Sequence, residues 1–248
     1  MATESQIDAL VDQSKIILVG TVLRLGASTV STYSPTSHTV IVKVNQVIHA
    51  PEALGDLTGQ RVTVELTTSP GLAVGQQAAF FANGLVYADS LVVQEVGRLD
   101  APAGPAARQA QVAEIAASVG RTPDRHIQRR LQTADVVVTG KIVSSRKVPR
   151  PQGQPISEHD ADWREAVIDV QGVESGLPMK QVVLFFPASR DIRWRQAPKF
   201  SVGQEGVWIL HQHATRELSA PGYTALQPSD FHPKSSRAHM RALIQGRK

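Results

Sequence analysis

The sequence repeats itself at an interval of about 120 residues. When Gly20 is aligned with Gly140, the residues on both sides of the two glycines match without a gap. Later matches are offset by 126 and 128 residues, and the last includes a Val-Gly-Gln that begins at Val74 in one copy and at Val202 in the other. A repeat of this kind predicts one structural unit that is used twice.

Each copy has the pattern of a helix followed by five short strands. Apolar and polar residues alternate in 42–47 and in 168–173, as a half-buried strand requires. Gly, Pro and Asn separate the strands, and no crossover helix lies among them, which favours an antiparallel barrel or sandwich, and the size of each copy suits an OB-type barrel. The sequence therefore predicts a mainly β fold with two tandem, small, antiparallel five-stranded barrels of the OB type, each preceded by a short helix.

The expected domain boundaries follow from this repeat. Residues 1–100 form the first barrel and residues 122–248 the second, with longer loops. Residues 101–121 are a linker rich in Pro and Ala, in which apolar residues at helical spacing predict a helix. Helices are predicted at 106–119, at 123–132 and, closing the chain, at 235–245.

The opening of the second copy, residues 134–144 together with 166–176, resembles the netrin-like module of the tissue inhibitors of metalloproteinases. The resemblance implies an OB barrel with flanking helices and a habit of binding other proteins through loops. In that family an N-terminal cysteine binds the zinc of the protease. This chain starts with Met1 and contains no cysteine, so the inhibitory mechanism is not carried over and no residue inherits a role.

Composition excludes several classes of site. Without cysteine, the chain has no disulfide, no cysteine-ligated zinc, no iron–sulfur cluster and no cysteine nucleophile. It also lacks a Gly-x-Ser-x-Gly elbow, a P-loop and a Gly-x-Gly-x-x-Gly motif. We therefore expect a protein that is not an enzyme and that uses no cofactor and no resident metal.

The first ten residues lack a positive start and a continuous apolar stretch, and no segment approaches 18 uninterrupted apolar residues. The sequence predicts neither a signal peptide nor a membrane span, and a cytoplasmic location is expected.

Charge is divided unequally between the halves of the chain. Residues 1–120 carry 6 Lys+Arg and 10 Asp+Glu, a net charge of −4, whereas residues 121–248 carry 20 and 12, a net charge of +8. Opposite charge predicts that the first half docks on the second, within one chain or head-to-tail between chains.

Two loops are longer in the second copy than in the first, and both are expected at the same end of the barrel. Function is more often added in such loops than in the shared scaffold. The loop 186–200 surrounds an indole with cations, and its candidate binding residues are Arg190, Arg193, Trp194, Arg195 and Lys199.

This cluster has three readings. Trp194 caps the barrel while the cations form a solvated rim; or the cluster is an Arg/Trp contact with another protein; or it clamps phosphates and stacks a base of single-stranded nucleic acid. The leading hypothesis is a binding module that contacts another protein, as an assembly or regulatory component of a larger complex. The alternative is single-stranded nucleic-acid binding through the basic second barrel.

Two other groups contain residue types that bind metals. The loop 145–163 has acidic residues around a histidine but no recognised ligand spacing, so a solvated loop is expected. His211 and His213 lie on one face of a strand end, without a third ligand nearby in the sequence. The acidic residues and the histidine of the loop 145–163 are Glu158, His159, Asp160 and Asp162.

Overall fold

The computed structural model describes residues 3–68, 71–149, 159–213, 218 and 221–246 of the 248-residue chain. Clustering of contacts divides the chain into two compact units, Met1–Thr122 and Pro123–Lys248. Within the described residues the protein is mainly β, with three α-helices. The expected mainly β class is therefore confirmed.

The first unit contains a short helix, five strands and most of a long helix. The helix α1 begins after Thr3 with a capping box. The Thr3 side chain accepts a hydrogen bond from the backbone amide of Gln6, and the Gln6 side chain accepts one from the backbone amide of Thr3. The elements are α1 (Glu4–Gln13), β1 (Ile16–Leu25), β2 (Thr39–His49), β3 (Arg61–Glu65), β4 (Gln77–Tyr87), β5 (Leu91–Asp100) and α2 (Pro105–Gln132).

The five strands of the first unit form a closed barrel in the order β1-β2-β3-β5-β4. All neighbours are antiparallel except β3 and β5, which are parallel. The barrel closes where β4 pairs with β1, from Ile16 opposite Ala82 to Thr21 opposite Gln77. The prediction of a small five-stranded barrel is confirmed for this unit, and the barrel is compatible with an OB-like fold.

The second unit contains the end of α2, six strands and a closing helix. Its strands are β6 (Val136–Lys147), β7 (Trp163–Ser175), β8 (Gln181–Pro187), β9 (Glu205–Gln212), β10 (Tyr223–Thr224) and β11 (Phe231–Pro233), followed by α3 (Arg237–Gln245).

The prediction of a second closed barrel is not confirmed. The second unit has a six-stranded sheet in the order β10-β8-β7-β6-β9-β11. Its strand β10 corresponds to β5, since it is parallel to β8 and antiparallel to β9. However, β10 has only two residues where β5 has ten. The fifth strand predicted at 223–226 is thus too short to give the continuous ladder of the first unit.

The repeat is visible in the irregularities of pairing. The β1–β2 ladder shifts register after Ile17, after Val19 and after Val22. The β6–β7 ladder shifts at the positions 120 residues later. At the central shift in each copy stands the glycine that anchors the alignment.

Close approach of the next strand explains both glycines. A Cβ on Gly20 would collide with the side chain of Val42, and one on Gly140 with the carbonyl oxygen of Asp169. Only glycine therefore lets the strands approach here without a shift of the backbone or of a neighbouring side chain.

Each sheet buries apolar residues on both faces. Phe80 lies in the barrel interior, whereas the adjacent Phe81 packs with α1 and with Ile115 of α2. In the second unit Trp208 and Ile209 divide in the same way, and Ile209 packs with the end of α2 and with α3. The alternation predicted for these strands is confirmed.

The prediction of two helices between the sheets was wrong, because α2 runs through Pro123 without a break. A proline inside a helix costs about 3 kcal/mol through its missing N–H and its steric clash. Packing on both sides offsets this loss: Ile115 is buried before the proline, and Ile127 and Leu131 after it. The predicted closing helix is confirmed as α3.

Candidate functional site

The loop between β8 and β9 lies at the end of the sheet where β7 begins. Trp163, the first residue of β7, is opposite Pro187, the last residue of β8. Just beyond this pair, the amides of Ala188 and Ser189 donate to the carbonyl oxygens of Asp162 and Ala161, at 3.1 and 3.0 Å. The two longer loops of the second unit are therefore neighbours, as predicted. Glu158 and residues 150–157 lie outside the described residues.

Asp191 holds the turn that carries the candidate residues. Its Oδ1 accepts a hydrogen bond from the amide of Arg193 at 2.9 Å, and its carbonyl oxygen accepts one from the amide of Trp194 at 2.9 Å. Nδ1 of His159 lies 3.2 Å from the carboxylate. The hydrogen bond from Arg193, followed by those from His159 and the adjacent backbone, lowers the pKa of Asp191 despite partial desolvation. The carboxylate is therefore ionised at neutral pH.

Trp194 fixes the turn to the sheet. Its ring is half-buried and meets the ring of Trp163 edge to face, with centroids 5.6 Å apart. Its Nε1–H donates to the carbonyl oxygen of His159 at 2.8 Å. Beneath it lies an apolar cluster of buried Ala161, Trp163, Phe185 and Leu218.

Lys199 also belongs to this support. Its Nζ donates to the carbonyl oxygen of Trp194 at 2.9 Å, which orients the ammonium toward the turn. Partial burial lowers the pKa of Lys199. Of the five candidate residues, Trp194 and Lys199 therefore stabilise the loop.

The other three candidates, Arg190, Arg193 and Arg195, are exposed. None of them forms an ion pair with a carboxylate in the part of the chain that the structure describes. Between them Ile192 has 79% of its surface exposed. We call Arg190, Ile192, Arg193 and Arg195 the Arg/Ile surface.

Sequence reasoning missed Ile192. No local pattern singles it out, because its exposure depends on the turn that Asp191 holds. Isoleucine at such a position is an apolar residue that the loop does not use for its own packing.

One face of the Trp194 indole is already covered by a side chain of the protein itself. The guanidinium carbon of Arg193 lies over its ring, 5.3 Å from the centroid. A nucleic-acid base could stack on that side only after displacing Arg193. The geometry therefore favours the readings in which Trp194 supports a surface.

His211, in β9, and His213, just after it, have separate neighbours. His211 directs Nδ1 at the carbonyl oxygen of Thr133, at 3.0 Å, and its Nε2 lies 3.7 Å from Oδ1 of Asp230. His213 meets the ring of Phe185 edge-on, with centroids 5.4 Å apart. Within the described residues no group of three or more His, Asp and Glu is arranged to hold a metal ion.

Two buried carboxylates that the sequence analysis did not single out hold the helices of the second unit. Asp230 is fully buried and accepts two hydrogen bonds from Arg130 of α2, at 2.6 and 3.1 Å. Glu174 of β7 accepts from Arg237 and Arg241 of α3, at 2.7 and 2.5 Å. The partners are 63 to 100 residues apart in the sequence, so no local pattern could have revealed them.

Comparison with known proteins adds no family assignment: no family model matches the chain, and no curated protein matches it. No helix in the described ranges combines the length and the apolar character that crossing a membrane would need.

Proposed function

We propose that this protein is a non-catalytic binding module that contacts another protein through the Arg/Ile surface of its second unit, as an assembly or regulatory component of a larger complex. The observation that carries the proposal is Ile192, 79% exposed among three arginines on a turn held by Asp191 and Trp194. A fixed apolar side chain surrounded by cations is complementary to an acidic surface that contains an apolar pocket.

The energetics of such a contact are favourable. Burial of an isoleucine side chain contributes about 1.5–3 kcal/mol. Among the described residues, the three arginines form no ion pair with a carboxylate of the same chain. Pairing with a partner therefore breaks no existing ion pair. Arginine is enriched among the residues that dominate binding energy in protein interfaces. The turn is also held in place before binding, which reduces the entropy lost on association.

The resemblance to netrin-like modules agrees with this proposal, because it implies a habit of binding other proteins through loops. The nucleic-acid alternative relies on the same arginines, since guanidinium groups also bind phosphates. It further needs a free aromatic face, and Arg193 already covers Trp194.

Affinity capture from native cell extract tests the proposal. The bait is the intact protein, and the test variant is Ile192→Ala with Arg195→Ala. The matched control is Leu177→Ala with Lys180→Ala, because Leu177 is also 79% exposed and Lys180 is an exposed cation of the same unit. Both variants lose one cation and the same exposed apolar fraction.

The expected result is a stoichiometric protein that survives nuclease, is retained by the control variant and is lost with the test variant. Recovery of the same proteins by both variants would contradict the proposal. Partners that vanish with nuclease would support the nucleic-acid alternative instead.

A further inference from the structure

The strand β4 extends beyond its partner on one side. Its pairing with β1 ends where Ala82 lies opposite Ile16. The pairing of β4 with β5 continues to Tyr87, opposite Leu91. Residues 83–87 therefore have one edge that pairs with no strand in the described part of the chain, although the barrel is otherwise closed. The backbone N–H and C=O groups of such an edge form a template for an added strand.

A slot lies beside this edge. It is a cavity of about 270 Å³ whose floor contains the buried residues Ile16 and Leu91. The free edge of β4 forms one wall, and Pro51, Ala53 and Leu54, in the connection between β2 and β3, form the other. The slot thus combines an unpaired backbone with an apolar floor.

The side chains at the slot are exposed apolar groups. Leu85 has 46% and Tyr87 68% of its surface exposed. Residues 83–87 contain no charged side chain and no proline, two features that usually prevent strand addition, although the edge is short and its pairing with β5 shifts register between Gly84 and Val86. Apolar side chains on an open edge are instead typical of sites that bind extended peptides.

The charges around the slot favour a basic ligand. Glu52 lies between two residues of the far wall, and Asp89 lies in the turn that follows Tyr87; both are exposed. Neither forms an ion pair with any residue that the structure describes. Lys15, at the start of the slot, is the one cation among its lining residues.

We propose that this slot binds an extended peptide segment of another protein, which adds to β4 as a strand along residues 83–87. Alternate side chains of the peptide enter the slot, and the first of them is large and apolar. A lysine or arginine of the peptide lies near Asp89. The proposal does not depend on the Arg/Ile surface, which belongs to the other unit.

Selection from a displayed library of random dodecapeptides tests this site on the intact protein. The test variant, Leu85→Lys with Tyr87→Lys, puts two cations on the edge. The control variant, Leu25→Lys with Val74→Lys, makes the same charge change at residues of the same unit that are 42% and 64% exposed and lie outside the slot. All four side chains are exposed, so neither variant removes core packing.

The expected peptides bind the natural protein and the control variant alike and bind the test variant at least tenfold more weakly. Their apolar residues should recur at every second position, next to Lys or Arg. In the best peptide, N-methylation of those backbone amides that face β4 should reduce the affinity at least tenfold, because each N-methyl group removes one hydrogen-bond donor. Hydrogen exchange at 84–87 should slow when this peptide is bound.

Three outcomes would overturn the proposal. The first is a selection that yields no peptide distinguishing the natural protein from the test variant. The second is a set of peptides with helical spacing or with unchanged affinity after N-methylation. The third is a concentration-dependent dimer of the natural protein that is absent in the test variant, which would assign the edge to a second copy of this chain.

Discussion

Arg193 and Trp194 are adjacent in the sequence and touch each other, but they contribute differently. Trp194 packs on Trp163 and donates to His159, whereas the guanidinium of Arg193 is exposed. Trp194→Ala should lower the free energy of unfolding of the second unit by about 2–3 kcal/mol, somewhat less than for a fully buried tryptophan. Arg193→Ala should change it by less than about 0.5 kcal/mol.

Denaturant unfolding followed by tryptophan fluorescence measures this difference. All three tryptophans of the chain, Trp163, Trp194 and Trp208, belong to the second unit, so the signal reports that unit. Equal losses in the two variants would mean that Trp194 is not the anchor of the loop.

Asp230 links stability to pH. Burial alone would raise its pKa, but the nearby His211, whose Nε2 lies 3.7 Å from Oδ1, and hydrogen bonds from Arg130 and the backbone outweigh burial and keep the pKa of Asp230 below its usual range. A carboxylate with a depressed pKa stabilises the folded state at neutral pH, and this contribution is lost as the pH falls through the acid range.

Asp230→Asn should therefore destabilise the second unit by more than about 2 kcal/mol at pH 7, since it leaves Arg130 without its buried partner. The difference from the natural protein should begin to shrink below about pH 4, where the unfolded carboxyl takes up a proton, and should be smallest below the lowered pKa of the folded carboxyl. Tryptophan-monitored unfolding between pH 7 and pH 3 measures both effects. A difference that is constant with pH would show that the charge of Asp230 does not stabilise the fold.

At the scale of the strands, the pairs β1–β2 and β6–β7 each have a glycine at their central register shift. Gly20→Ala and Gly140→Ala should each lower the free energy of unfolding of their unit by more than about 2 kcal/mol, because the new methyl group forces the strands apart. Gly84→Ala is the control, since no atom lies within 4 Å of the place its Cβ would take.

Tryptophan fluorescence follows the Gly140 variant, and hydrogen exchange of the β1 amides follows the two variants of the first unit. Similar stability for Gly20→Ala and Gly84→Ala would exclude close approach as the reason for the repeated glycine.

Regular strands were the part of the fold that the sequence predicted well. Phe80 packs inside the barrel and the adjacent Phe81 packs against the helices. The local order of residues along the strand is enough to predict that such neighbours lie on opposite faces. The length of β10 could not be predicted, because its two residues pair with β8 and β9, which are distant in the sequence. The continuity of α2 was missed for the same reason: the packing that tolerates Pro123 comes from residues far along the chain.

The candidate site was predicted in part. The sequence identified the loop and its arginines, because an insertion rich in arginine stands out against the other copy. It could not show that Trp194 packs against the sheet, since its partners His159 and Trp163 lie on another loop and strand. Nor could it show that Lys199 bonds to the carbonyl oxygen of Trp194, which depends on the fold of the turn. It also gave no reason to single out Ile192, whose exposure is a property of the folded turn.

For the molecule as a whole, opposite charge on the two halves predicts self-association that depends on salt. Sedimentation velocity should detect species larger than the monomer at about 0.01 M salt. The monomer should predominate at about 1 M, where the Debye length falls from about 30 Å to about 3 Å. The same sedimentation coefficient under both conditions would contradict association driven by charge.

The central claim is that the Arg/Ile surface contacts a protein, and site-specific photo-crosslinking tests it most directly. Ile192→p-benzoylphenylalanine places the reactive group on the surface, and Leu177→p-benzoylphenylalanine places it at an equally exposed position elsewhere in the same unit. Both proteins are irradiated in native cell extract, with and without nuclease. We predict a discrete crosslinked protein at position 192 that resists nuclease and is absent at position 177. Identical products at both positions, or products at 192 that nuclease removes, would contradict the claim.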